Sequence, residues 1–398
     1  MKAGQSSMHR QVLLLATAQA LFQTASVMVM AVGGLAGALV TGDPRLATAP
    51  IAAVFLGTAV STVPASMWMA RVGRRPGFVF GATLGVLAGV VAAIGLWLGS
   101  LVVLSIGTFL VGAYQAFAQI YRFAAGEVAD DAFRPRSISL VLAGGIVAAL
   151  LGPALGRLGG PLLSPTYVGS FLLLALVSLV AALLLTRLQM PAPPPTQAGL
   201  VARPLAQIVR QPTYLVALFA AATGYGVMIL AMTATPIAMV HHHHALADAA
   251  TVIQLHVLGM FLPSFFTGSL IARFGVLRVM LTGVALLTGH VLTTLTGTGF
   301  ESFAAALILL GVGWNFLYVG GTTLLTTTYT AAERGRAQAT NDLSIFVFGL
   351  LSSLSAGALL DAAGWQVTNL LLLPWLATAA LALLALAWTR RQSATAAA

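Results

Sequence analysis

The sequence predicts an all-α membrane protein: twelve spanning helices arranged as two parallel six-helix repeats. Three observations carry that prediction. The 398 residues are 59% hydrophobic and only 7% charged, with a mean hydropathy of +0.96, which lies outside the habit of soluble domains. Apolar runs of spanning length follow one another along the whole chain. The basic residues alternate with those runs, gathering at every second junction.

The spans fall at about 12–40, 49–70, 77–97, 101–124, 137–158, 165–187, 213–240, 248–272, 276–297, 302–328, 337–360 and 365–389. The first run lacks a small-residue cleavage pattern and continues past signal-peptide length, so it is expected as a retained helix. Between the sixth and seventh spans lies the long polar linker, 188–212. Its Pro191, Pro193, Pro194 and Pro195 favour an extended chain. The expected division is therefore a six-helix bundle over 1–187, a linker over 188–212 and a second six-helix bundle over 213–398.

The basic residues orient these spans. Lys2 and Arg10 precede the first; Arg71, Arg74 and Arg75 follow the second; Arg134 and Arg136 follow the fourth. Arg187, Arg203 and Arg210 sit in the linker, Arg273 and Arg278 after the eighth span, Arg334 and Arg336 after the tenth, and Arg390 and Arg391 after the last. Only Arg45 and Arg157 fall on the other side, with Arg122 inside the fourth span. The positive-inside rule then puts both termini and the linker in the cytoplasm. Topology thus accounts for the net charge of +10, and no nucleic-acid partner is expected. The halves also repeat: Arg71-Val72-Gly73 returns as Arg273-Phe274-Gly275, and Arg134-Pro135-Arg136 as Arg334-Gly335-Arg336. Parallel repeats of this kind belong to secondary transporters.

Other function classes drop out. The chain has no cysteine, hence no disulfide and no thiolate ligand. It has no glycine-rich phosphate loop ending in Lys-Ser/Thr and no catalytic constellation, so it is expected to be neither an enzyme nor an ATP-driven pump, and to hold no cofactor.

Two pairs of residues carry chemistry. Met228-x-x-x-Met232 lies in the seventh span and His256-x-x-x-Met260 in the eighth. Each pair sits one turn apart on one helix face. In a tight antiparallel hairpin Met232 would meet His256, and Met228 would meet Met260, the upper pair about 12 Å below the periplasmic edge. Thioethers with an imidazole suit Cu(I), and a histidine inside a membrane span faces a cavity or the bundle interior. His241, His242, His243 and His244, in the loop above, read as a metal-capture tract, with Asp248 beside it. Met28 in the first span is a further candidate ligand. Gln23, Gln115, Gln119, Gln254 and Asn315 are polar positions within spans, some of them expected to line a cavity. Arg122, Glu127, Asp130 and Asp131, with Arg134 and Arg136, are expected to form an interfacial ion network; a gate or a proton step is the alternative. Asp342, Asn341 and Arg336 are expected in an inner gate.

The loop Ser66-Met67-Trp68-Met69-Ala70-Arg71-Val72-Gly73-Arg74-Arg75 resembles the signature G-x-x-x-D-R-x-G-R-R of the major facilitator superfamily, with Ser66 for its glycine and Ala70 for its acid. Gly152-Pro153 and Gly156 resemble that family's glycine–proline motif in helix 5, common in antiporters. The resemblance implies gating by loops holding Arg71, Gly73, Arg74, Arg75, Arg273, Gly275, Arg334 and Arg336. The Met/His pairs resemble those of the CcoA-type copper importers of the same superfamily. That implies a bacterial inner-membrane protein importing copper by alternating access and supplying cytochrome oxidase assembly, with a cytoplasmic copper chaperone as acceptor. Copper would be substrate rather than cofactor, and the lipid bilayer the other partner. Two rivals stand beside this reading. One is a proton-coupled drug or metabolite exporter, suggested by the helix-5 motif but lacking an acid in the middle of spans 1, 4 and 7. The other is a membrane copper receptor that binds without transport.

Overall fold

The computed structural model describes residues 2–41, 46, 49–190 and 203–396. Residues 191–202 of the expected linker, with Pro191, Pro193, Pro194 and Pro195, lie outside the described residues, as does Arg45. The described residues form fifteen helices: α1 (Lys2–Thr41), α2 (Ala49–Val72), α3 (Arg74–Trp97), α4 (Leu101–Ala118), α5 (Tyr121–Val128), α6 (Arg134–Gly159), α7 (Val168–Leu185), α8 (Leu205–Val209), α9 (Pro212–His241), α10 (Leu246–Phe261), α11 (Ser264–Phe274), α12 (Val276–Thr294), α13 (Phe300–Leu325), α14 (Arg334–Leu370) and α15 (Leu373–Ala396). No strand occurs among the described residues, as backbone satisfaction in lipid demands of a chain that does not form a barrel.

Among the described residues, eleven helical stretches are long and apolar enough to cross a membrane. The last of them, Ser355–Gln392, takes in the end of α14 and most of α15. α14 runs through the expected eleventh span into the twelfth, interrupted at Gly364 with φ 74°. Two expected spans are also broken internally. The fourth divides into α4 and α5 at Gln119–Ile120, and the eighth into α10 and α11 at Leu262–Pro263, where proline removes an amide donor.

Two compact units result: Met1–Asp130 with Leu140–Val201 and Ala331–Thr340, and Asp131–Ser139 with Ala202–Thr330 and Asn341–Ala398. The units follow the two halves of the sequence except that each takes in a short segment from the other half, the start of α14 in one and of α6 in the other. In the first unit, α3 packs its glycine face against α4 and α7. A side chain at Gly81 would meet Phe117, one at Gly85 would meet Tyr114 and Ser178, and one at Gly89 would meet Phe171 and Ala175. Small residues allow this close approach where no water drives helices together. In the second unit, α13 is the central helix, packed by α9, α10 and α12. Large apolar side chains such as Leu13, Trp97, Leu183, Leu381 and Trp388 are exposed, as a lipid-facing surface requires.

Candidate functional site

The chemistry-bearing residues of the second unit are organised by α13. On one side, a side chain at Gly224 of α9 would meet Leu317, and one at Gly321 would meet Ala217 and Ala221, so α9 runs antiparallel to α13. On the other, Gly311 lies against the backbone of His256 and Met260, and Asn315 Nδ2 donates to Met260 O at 2.7 Å, so α10 runs parallel to it. One turn beyond Gly224, Met228 reaches the level of Gly313, while His256 and Met260 flank Gly311. The two sequence motifs therefore share a depth. They do not do so as the expected tight hairpin: α9 and α10 each pack more extensively on α13 than on one another.

His256 is fully buried. Its Nδ1 is 2.9 Å from Leu307 O, and its Nε2 has no hydrogen-bond partner. Met228 and Met260 are buried and Met232 half-buried. Met28 is buried in the other unit, beneath Gly156 of α6. Asn315 is committed to a polar seam: it donates to Ser264 Oγ at 2.6 Å and accepts from Thr267 Oγ1 at 2.7 Å. No cluster of three or more His, Cys, Asp or Glu suited to a metal occurs among the described residues. His241, His242 and His243 are exposed, and His243 has φ 64°. His244 is held against the fold, its Nε2 2.7 Å from Thr298 O and its ring 5.7 Å from Phe303. Asp248 turns to its own loop and accepts from Ala245 N at 3.3 Å.

A feature that the sequence reading missed is an aromatic ladder across four helices. Trp314 and Tyr318 of α13 stack at 4.9 Å and 16°. Phe261 of α10 meets Trp314 edge-on at 5.9 Å. Tyr225 of α9 lies 6.3 Å from Tyr318 and 6.0 Å from Phe346 of α14. The signal was present in the spacing of Trp314 and Tyr318, one turn apart on one face. Trp314 Nε1 is buried without a hydrogen-bond partner, a donor unsatisfied in the protein alone. Trp314 and Tyr318 are both buried, each ring covering a face of the other, and the one directed N–H of the pair is that of Trp314.

The first unit carries the ion network, with a membership different from that expected. Glu127 bonds Arg74 through Nη2 at 2.5 Å and Arg334 through Nη1 at 2.9 Å. Arg74 also donates to Gln338 Oε1 at 2.7 Å. Of the expected members, Asp131 pairs instead with Arg134 at 2.6 Å, and Arg122 donates to Gln119 at 2.7 Å. Asn341 bonds Asp342 at 2.9 Å. Of the gating residues read from the resemblance, Arg74 and Arg334 are buried, while Arg71, Arg75, Arg273 and Arg336 are exposed. Gly73 and Gly275 have φ of 96° and 87°, a conformation glycine tolerates best. Ala70, at the position of the signature acid, leaves room for Gly335, whose added Cβ would lie 2.7 Å from that of Ala70. Ser66 donates to Gly335 O at 2.8 Å. The repeat in the other unit uses the same device: Ser139 Oγ bonds Ser264 O and accepts from Gly268 N at 3.2 Å.

The family model described as Major Facilitator Superfamily matches residues 13–261 and 216–397. The chain is 40% identical to the riboflavin transporter RfnT of Brucella anthropi, over 92% of both chains. Among solved structures it resembles the transporter FucP in an outward conformation, with TM-score 0.77 and 17% identity over 95% of this chain and 98% of that one. It also resembles the human organic anion transporter MFSD10, with TM-score 0.78 and 13% identity over 94% and 99%.

Proposed function

This chain belongs to the major facilitator superfamily, and from that premise we propose that it is a transporter carrying riboflavin across the membrane. The observation that carries this reading is the 40% identity to a riboflavin transporter along 92% of both chains. The aromatic ladder supports it chemically. Riboflavin has a flat tricyclic ring with carbonyl acceptors on one edge. Tyr318 and Trp314, buried against one another here, would stack on that ring once the site opens to it, and Trp314 Nε1 offers a donor without a partner in the protein. The arginine bias supports cytoplasmic termini, and a bacterial inner membrane is the location this reading implies.

The test is uptake of radiolabelled riboflavin by a riboflavin-requiring strain expressing the protein. Wild type restores growth at limiting riboflavin and accumulates label. Stacking a heteroaromatic ring on an aromatic side chain is worth roughly 1–3 kcal/mol. Trp314→Ala and Tyr318→Ala should therefore each weaken apparent affinity by about 5- to 150-fold at unchanged membrane levels. A wild type that moves no riboflavin overturns the reading.

A second reading keeps copper as the cargo, because His256 is fully buried with an unpartnered Nε2 at the depth of Met228 and Met260. The relatives reported above lend it no support by name. In that reading copper would pass to a cytoplasmic chaperone and cytochrome oxidase assembly. Radiocopper uptake that wild type performs and Met228→Ala and His256→Ala lose would favour it.

A further inference from the structure

His290 of α12 is fully buried and takes no part in the aromatic ladder or the methionine pairs. Both of its ring nitrogens face acceptors. Nδ1 lies 2.9 Å from the carbonyl oxygen of Ala306 on α13. Nε2 lies 3.0 Å from Asn369 Oδ1, in the segment of α14 beyond the Gly364 break. The orientation of that amide is set independently, because Asn369 Nδ2 donates to Trp365 O at 2.8 Å. Turning the amide over would face its oxygen against the Trp365 carbonyl, exchanging one acceptor–acceptor conflict for another.

A neutral imidazole has one N–H and one lone pair. It can satisfy either Ala306 or Asn369, and leaves its bare nitrogen pointing at the other oxygen. An imidazolium has two N–H groups and satisfies both. We propose that His290 is a proton-binding site of the transport cycle, whose doubly protonated form ties α12 at once to α13 and to the end of α14. Uptake of one proton creates the second N–H and completes the bridge. Loss of that proton breaks one arm of it, giving up the hydrogen bond to either α13 or the end of α14.

The surroundings suit this role. His290 lies one turn from the end of α12 at Thr294, about 6 Å along the helix, at the end opposite the arginine loops. Among the described residues, the buried Arg334 and Asp342 of α14 lie more than twenty residues before the Gly364 break, and His244 is held at Thr298 O. Glu301 of α13 and Asp361 of α14 are exposed, as are Arg273 of α11, His241 of α9, and Arg390 and Arg391 of α15. Among the described residues, His256 of α10 is the other fully buried histidine of this unit. His256 differs in a telling way, since one carbonyl faces it and its other nitrogen faces no acceptor. A neutral ring is fully consistent there and is not at His290.

The first test needs no substrate. In nanodiscs, protein labelled with 15N-histidine is observed by NMR between about pH 5.5 and 8, the range in which histidine changes charge; His290→Gln assigns the signal. Wild type should show both ring nitrogens protonated at the acid end and one at the alkaline end. Asn369→Leu, which removes one acceptor, should abolish the doubly protonated signal at the same pH. A ring that stays neutral throughout in wild type, or a titration that Asn369→Leu leaves unmoved, overturns the proposal. In proteoliposomes, His290→Gln should retain riboflavin counterflow while losing accumulation driven by a pH gradient at least tenfold. Accumulation retained in His290→Gln also overturns it. A wild type inert toward riboflavin would remove the riboflavin reading alone, since the NMR titration judges His290 without it.

Discussion

Glu127→Gln is expected to lower stability by roughly 3–5 kcal/mol, the cost of removing one partner from a buried ion pair. The side chain of Arg74 is 1% exposed and that of Arg334 10%. Both lean on Glu127, and a neutral amide would leave two buried guanidinium groups beside each other. Thermal unfolding in detergent, followed with membrane abundance, measures the effect. Adding Arg74→Gln should recover part of the loss, because the double variant removes charge as well as its counter-charge. An unchanged melting temperature in Glu127→Gln would mean that the carboxylate is not the support of this cluster.

The second large effect is steric. Gly112 sits where α4 crosses α2. A Cβ there would be driven into the carbonyl oxygen of Val54 and lie 2.8 Å from Thr58 N. Thr58 Oγ1 also bonds Gly112 O at 3.2 Å across the same crossing. The obstacles are backbone atoms, which cannot rotate away, so Gly112→Val should cost about 3 kcal/mol or more and deplete folded protein from the membrane. Gly357→Ala is the internal control: nothing lies within 4 Å of its added Cβ. There helix propensity alone should give a neutral to slightly stabilising change. Equal abundance of the two variants would refute the packing assigned to Gly112.

The spans and their repeat could be read from the sequence because lipid imposes them residue by residue. Hydropathy marks the helices and arginine marks their sides, whatever the tertiary structure. The close-packed glycines of α3 were readable for a similar reason, since their spacing of four states the face they form. The breaks at Gln119–Ile120 and Leu262–Pro263 were less so, because each lies inside a single run that is long and apolar enough to span. The partners of Glu127 were hidden by distance: Arg74 and Arg334 lie in different repeats, and proximity in sequence favoured Arg122, Arg134 and Arg136. The Met/His pairs were found at one depth but not in the expected hairpin, because α13, distant in sequence, packs against both helices. His290 has no partner in its own stretch of sequence to mark it. Its meaning depends on two acceptors contributed by α13 and α14, which no local pattern displays.

The exchange of Ala331–Thr340 and Asp131–Ser139 between the two units bears on how the chain is made. The ribosome finishes the first six helices long before it reaches Arg334. At roughly 5–20 residues per second, Glu127 waits on the order of ten seconds or more for its second arginine, and Gly335 arrives equally late beneath Ser66. The amino-terminal half is therefore inserted as an unfinished body whose last pieces are made well into the second half. A chain released at the linker would carry that deficit permanently, which makes the start of α14 a built-in check that translation has passed the linker and most of the second repeat.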